Sequence, residues 1–293
     1  MSNEGADCSK NDVRRPLLSP VAAEAVAGAF AGLSGVVFGH PLDTVRVRLQ
    51  QPGATSLRRV LADTVRLGGF SALFAGVSAP LFTSSLQNAV CFKAYASTSR
   101  ALATSPASPL IVSFLSGAVA GAATTILVTP VDLIKCQLQV RTVPGGPGVF
   151  ALATSILRAE GPRGLFRGAG VTLLRDVLST GVYFCCYDAA SAAVLAMTGG
   201  AEGAHASAAL TLGAGGFAGV MSWLSIYPLD VVKSRLQAQP GRWDGMVDCF
   251  RESLRAEGAA VFSRGLGACL TRAFIVNAAI FGGYEGAMKL LSA

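Results

Sequence analysis

One segment occurs three times in the chain. It reads PLDTVRVRLQ over Pro41–Gln50, PVDLIKCQLQ over Pro130–Gln139 and PLDVVKSRLQ over Pro228–Gln237. The spacings are 89 and 98 residues, so the 293 residues hold three units. Self-similarity at such a period marks one supersecondary unit copied and packed against its neighbours. A second element follows each copy: Glu160-Gly161 then Leu165-Phe166-Arg167-Gly168 in the middle unit, and Glu257-Gly258 then Val261-Phe262-Ser263-Arg264-Gly265 in the last. The first unit has a degenerate form, Gly68-Gly69 then Leu73-Phe74-Ala75-Gly76. A third element precedes each proline. Gly28 and Gly32 lie 13 and 9 residues before Pro41, and Gly117/Gly121 and Gly215/Gly219 stand at the same offsets. G-x-x-x-G in an apolar helix lets two backbones approach closely.

Composition decides the solvent. The chain is 52% hydrophobic but only 14% charged, against about 25% charged in soluble domains. Mean hydropathy is +0.51. Low charge argues against disorder and against an ordinary soluble enzyme. About 20 apolar residues cross a bilayer as a helix, so the length suits six membrane helices, two per unit. The expected fold is an all-α membrane protein, with three pseudo-symmetric repeats and a short surface helix between the two helices of each. The expected long helices are residues 21–50, 77–100, 110–139, 169–196, 206–237 and 266–291. Surface helices are expected near residues 57–66, 150–157 and 245–255. The divisions are a polar arm over 1–20, then repeats over 21–105, 106–203 and 204–293. The arm has mixed charge and no apolar stretch, so it is read as neither a secretory signal nor a transit peptide.

Charge sets partner and orientation. Net charge is +7, and the basic residues sit between apolar runs, so the expected surface partner is an anionic membrane rather than nucleic acid. Sixteen of the 24 Lys and Arg fall in the three connections within units, gate segments included, while the connections between units carry only Arg100. By the positive-inside rule the within-unit connections face the inner compartment and both termini face the other side. The seven cysteines show no C-x-x-C spacing and there are two histidines, which reads as free thiols and no metal site. No H-E-x-x-H, G-x-S-x-G or Walker pattern occurs, so no enzyme active site and no cofactor are expected.

Ionisable residues inside apolar helices pair or line water-filled cavities, and they are functional candidates by default. Asp43, Asp132 and Asp230 follow their prolines by two residues, and Arg46, Lys135 and Lys233 come three residues later. Further on in each unit, Arg175 and Arg272 lie seven residues beyond Gly168 and Gly265, where the first unit has Thr83. Asp176 adjoins Arg175, Gln87 lies one helical turn past Thr83, and Asn88 matches Asn277. An arginine can hold a carboxylate bidentately and an aspartate can take a cationic amine, which suits a zwitterionic or cationic small molecule.

The tripled P-x-D-x-x-[KR] with its glycines resembles the mitochondrial carriers, over about residues 20–291. That resemblance implies transport by alternating access in the inner mitochondrial membrane, both termini toward the intermembrane space. It implies an inner gate of Asp43 with Lys135, Asp132 with Lys233, and Asp230 with Arg46. Gln50, Gln139 and Gln237 match the family's braces under those pairs. The outer pattern [FY]-[DE]-x-x-[KR] is partial: Tyr187-Asp188 and Tyr284-Glu285 are present, Tyr95 is followed by Ala96, Ser99, Ser191 and Met288 replace the bases, and Arg100 and Lys289 sit one residue late. A weak outer closure and loose coupling to counter-substrate follow. Thr83, Gln87, Asn88, Arg175, Asp176, Trp223 and Arg272 match the family's substrate contacts. The segments Ser84–Phe92 and Arg272–Asn277 are most similar to the plant basic amino acid carriers of arginine, ornithine, lysine, histidine and citrulline. His40 matches a histidine of the carnitine/acylcarnitine carriers, so that substrate is the alternative, and a non-transporting adaptor is a third reading. Cardiolipin is the implied lipid partner, and the expected working unit is a monomer.

Overall fold

The computed structural model describes residues 20–54, 56–140, 148–197 and 204–292. The polar arm before residue 20 lies outside the described residues. The same run of elements comes three times. In the first, α1 (Pro20–Gln50) leads to the surface helix α2 (Leu57–Gly68), a 3-10 turn over Phe70–Phe74, and α3 (Ser78–Ala101). In the second, α4 (Pro109–Val140) leads to α5 (Val149–Glu160), the single turn α6 (Pro162–Leu165) and α7 (Ala169–Met197). In the third, α8 (Ala204–Ala238) leads to α9 (Met246–Glu257), a 3-10 turn over Ala259–Ser263, and α10 (Leu266–Ser292).

Pro41, Pro130 and Pro228 lie inside α1, α4 and α8, and the helices run through them. A proline removes one main-chain hydrogen bond and is a defined bending point. The surface helices end at glycines with positive φ, and α3, α7 and α10 each begin just after another. Gly69, Gly161 and Gly258 stand at 67°, 70° and 75°, and Gly76, Gly168 and Gly265 at 77°, 78° and 88°. Side chains rarely adopt that backbone conformation, so the repeated glycines are needed for the reversal itself.

Among the described residues, Pro109–Val140, Pro162–Ala196 and Ala259–Val276 are long and apolar enough to cross a membrane by length and composition. The other long helices are more polar, for a reason the fold shows. On α1, His40, Asp43, Thr44, Arg46, Arg48 and Gln50 are all buried, as are Asp230, Lys233, Ser234, Arg235 and Gln237 on α8. On α3, Thr83, Gln87, Asn88 and Lys93 are spread along the length. Large apolar side chains point outward instead: Phe38, Phe92, Ile126 and Phe274 are all more than half exposed. Polar inside and apolar outside suits a bundle in lipid around a polar interior.

Each surface helix is pinned to the C-terminal end of its own long helix by residues at equivalent positions. Val45 and Leu49 pack on Leu73, Val60 and Val65; Ile134 and Leu138 on Leu152; Val232 and Leu236 on Trp243 and Cys249. The most extensive helix contacts are α1 with α10, α4 with α7, α7 with α8 and α3 with α4. The expected close approach at the glycine motifs is met in one repeat only. A Cβ on Gly117 would lie 2.5 Å from Thr180 O, and one on Gly121 would strike Asp176 O. Around Gly28, Gly32, Gly215 and Gly219 there is open or nearly open space. These glycines sit on the N-terminal halves of α1 and α8, away from the C-terminal ends where α1, α4 and α8 meet.

Candidate substrate site and gate

Toward their C-terminal ends α1, α4 and α8 meet through their charged residues. Lys135 Nζ lies 2.9 Å from Asp43 Oδ2, and Arg46 Nη1 lies 2.9 Å from Asp230 Oδ2. Lys233 Nζ pairs with Asp132 Oδ2. Each pair joins two repeats, and three pairs close a ring. Asp43, Asp230, Arg46 and Lys233 are buried, so removing one partner would leave a desolvated charge. The fully buried glutamines also reach across repeats. Gln50 Nε2 donates to Asp230 Oδ2 at 2.9 Å, directly against the Arg46 pair. Gln139 Nε2 donates to Thr44 Oγ1 at 3.2 Å and Gln237 Nε2 to Thr172 Oγ1 at 3.4 Å, beside the ring rather than on an ion pair.

The ring does not end with those six charges. Arg175 Nε donates to Asp176 Oδ1 at 2.7 Å, and Nη2 reaches the same oxygen. Arg175 Nη1 lies 3.3 Å from Asp230 Oδ1, and Nη2 lies 3.9 Å from Asp132 Oδ2. Arg272 Nε lies 2.7 Å from Asp43 Oδ1, an ion pair angled away from hydrogen-bond geometry. The two arginines placed in the substrate set are therefore in contact with the carboxylates placed in the gate. Thr125 Oγ1 is 3.5 Å from Asp176 Oδ2 and completes that carboxylate's surroundings. Five cationic side chains, Arg46, Lys135, Lys233, Arg175 and Arg272, meet four carboxylates here, one positive charge in excess.

The remaining substrate candidates are placed unevenly. Thr83 and Gln87 stay together on α3, with Gln87 Nε2 3.4 Å from Thr83 Oγ1. Asn88 is exposed and shares no polar contact with them. Trp223 lies under the gate, its ring centroid 4.8 Å from the Arg46 guanidinium carbon. His40 is buried, with Nε2 2.9 Å from Ala75 O on the turn before α3. At the outer end, Tyr95 Oη donates to Asp188 Oδ2 at 3.4 Å, and Ser113 Oγ donates to the same oxygen. Tyr187 stacks near-parallel on Tyr183 with centroids 6.4 Å apart. The side chains of Tyr284 and Glu285 lie outside the described residues.

Two contributions were not anticipated. Gly39 has no room for a side chain: a Cβ there would lie 2.6 Å from Val276 Cγ2 and 3.4 Å from Arg272 Nε. That missing side chain is what lets Arg272 cross α1 to Asp43. The signal was available, since Gly35 and Gly39 form another G-x-x-x-G seven residues past the first. Arg48 and Arg235, seven residues after their prolines, also bind across repeats. Arg48 Nε donates to Gln139 O at 2.6 Å, and Arg235 Nε donates to Gln50 O at 2.7 Å. Each caps the C-terminal end of a neighbouring helix, where a cation is favoured. The middle repeat has Gln137 at that position.

Comparison with known proteins places this arrangement. The sequence pattern of the mitochondrial carrier protein family matches residues 18–106, 106–197 and 204–293. The mitochondrial arginine transporter BAC2 of Arabidopsis thaliana is 43% identical over 279 residues, 92% of this chain and 91% of that protein. The mitochondrial basic amino acids transporter of Rattus norvegicus is 41% identical over 276 residues, 89% and 87% of the two chains. The mitochondrial carnitine/acylcarnitine carrier protein of Mus musculus is 36% identical over 283 residues, 91% and 93%.

Proposed function

The chain belongs to the mitochondrial carrier family of multi-pass inner-membrane proteins, and from that premise we propose that it moves basic amino acids by alternating access, with arginine and ornithine foremost. The observation that carries the reading is the double duty of Arg272 and Arg175. A substrate carboxylate that takes Arg272 removes a partner from Asp43. A cationic substrate end that takes Asp176 loosens Arg175, which also serves Asp230 and Asp132. One zwitterionic molecule with a second cation thus acts on carboxylates of all three inner pairs at once. Binding then favours the occluded state by its differential affinity, which is the only way a ligand can shift such an equilibrium. The helices rock at the three prolines as the ring opens.

The long within-repeat connections face the matrix in this reading, and both termini face the intermembrane space. The exposed Arg58, Arg66, Arg158, Arg251 and Arg255 on the surface helices suit an anionic lipid such as cardiolipin. One chain holds the whole site, so the monomer is the working unit. The histidine that favoured carnitine has its Nε2 committed to Ala75 O, which weakens that alternative.

The deciding experiment is uptake of labelled arginine into liposomes carrying the purified protein, with and without internal arginine, beside labelled carnitine and a D176N variant. Saturable arginine uptake that falls in D176N supports the reading. Carnitine uptake without arginine uptake overturns it in favour of the carnitine branch.

A further inference from the structure

We infer that Asp188, with Tyr95 and Ser113 orienting it, forms an outer receiving site for the cationic side chain of an incoming substrate, distinct from the central site. The inference deepens the proposed function and rests on the substrate being a basic amino acid.

Asp188 is half-buried, and both hydrogen bonds to it fall on one oxygen, Oδ2, from Ser113 on α4 and Tyr95 on α3. Among the described residues no cation lies within ion-pair distance of it. The positions that would supply a base hold Ser99, Ser191 and Met288. Two hydroxyls orient the carboxylate without neutralising it, so its charge is left for a mobile cation.

Tyr95 is the ring that reaches Asp188, and two further tyrosines of α7 lie inward of it. Tyr183 and Tyr187 stand seven and eleven residues after Asp176 and share its face of α7, whereas Asp188 is turned about 100° from Tyr187, toward α3 and α4. Tyr183 and Tyr187 stack with 13° between their planes. Phe184 stacks on Tyr95 at 3.9 Å, which holds the Tyr95 hydroxyl toward Asp188. A guanidinium or ammonium passing over tyrosine faces is attracted by the ring quadrupole. Asp188 itself is twelve residues from Asp176, about 18 Å along the helix at 1.5 Å per residue.

Such a site has work to do because the central cluster carries one positive charge in excess. A substrate of net positive charge is repelled there until its carboxylate reaches Arg272 or Arg175. A carboxylate placed outward, between low-dielectric walls that focus its field, raises the local concentration of cations before that barrier. A zwitterion whose side chain is neutral feels neither the repulsion nor the help.

The test compares arginine with citrulline, which has the same length and an uncharged side-chain end. In proteoliposomes, D188N is expected to raise the external KM for arginine about fivefold relative to that for citrulline, a factor in keeping with one partly solvated ion pair. Citrulline uptake by the same preparation shows that the variant is folded. Equal changes for both substrates, as loss of a gate residue would give, overturn the receiving site. So does an unchanged arginine KM. If the unaltered protein carries carnitine and not arginine, the functional reading falls, and the receiving site is judged separately with agmatine, which is arginine without its carboxylate. External agmatine slowing carnitine uptake in the unaltered protein and not in D188N supports the site; equal inhibition in both overturns it.

Discussion

A missing methyl group controls the reach of the central arginine. Gly39 leaves the gap through which Arg272 meets Asp43, and alanine there would overlap Val276 Cγ2 at 2.6 Å. Because that contact is with α10, G39A is expected to push α10 and displace Arg272. Misplacement on the scale of an ångström costs catalysts up to about 100-fold, and arginine transport is expected to fall about tenfold or more. The double variant G39A/V276A removes the overlapping atom and is expected to recover most of the rate. Recovery checked in one liposome preparation separates displacement of Arg272 from misfolding. A second residue answers to pH. Cys249 on α9 is fully buried, and burial pushes its thiol up to about 11. Only the thiolate reacts with maleimide. At pH 8 labelling is therefore expected to be at least about 100-fold slower than for an exposed thiol at the ordinary value of 9.0, because burial both withholds the thiolate and blocks the reagent. The sign for stability follows: this contribution is whole below 9.0 and is lost as pH climbs toward 11. Mass spectrometry of labelled Cys249, native against denatured, measures the rate difference.

At the level of elements, most of the architecture is readable from sequence, and the exceptions have a common cause. Ser78–Ala101 and Ala204–Ala238 lie within two residues of the helices expected there, because apolar runs, punctuating glycines and charge clusters are local signals. Which glycine meets which helix is not local. The offsets of Gly28, Gly117 and Gly215 are identical, yet only α4 is in close backbone contact at its motif, while α1 is tight against α10 further along, at Gly35 and Gly39. The acid and base positions of the inner ring are plain in the tripled motif, but the second use of Arg175 and Arg272 needs the helices assembled. The surface helices show the same asymmetry. In the third repeat Arg235 ties α8 to α9, with Nη1 2.8 Å from Ser253 Oγ and Nη2 2.7 Å from Glu257 Oε1, and Glu257 also pairs with Arg264. In the second repeat Glu160 meets only Arg167, in a pair more than a third exposed on each side. Removing one partner of a buried pair costs about 3–5 kcal/mol, whereas an exposed pair contributes about 0–1 kcal/mol. E257Q is accordingly expected to lower the melting temperature by several degrees or more, and E160Q to leave it nearly unchanged. Equal shifts in thermal unfolding of the two purified variants would show that the third-repeat anchor is no stronger than the second.

For the whole molecule, the two ends carry different chemistry, and that difference bears on coupling. The inner end has three inter-repeat ion pairs with two more guanidinium groups leaning on them. The outer end, among the described residues, offers Asp188 only hydroxyl partners. A carrier that closes its outer side weakly gains little from that closure, so the empty protein can return to the outward-open state without a counter-substrate. Uptake of arginine into liposomes lacking internal substrate is therefore expected at a substantial fraction of the exchange rate. The same logic identifies a substitution that should move the balance. Ser99 lies one helical turn past Tyr95, whose hydroxyl is 3.4 Å from Asp188, so a lysine at 99 comes within reach of that carboxylate. S99K adds an outer ion pair and occupies the site that would receive the substrate's cation. It is expected to slow uptake into empty liposomes more than exchange and, in the same measurements, to raise the external KM for arginine. Parallel loss of uptake and exchange, with KM unmoved, would mean that neither the closure nor the capture of cations depends on Asp188.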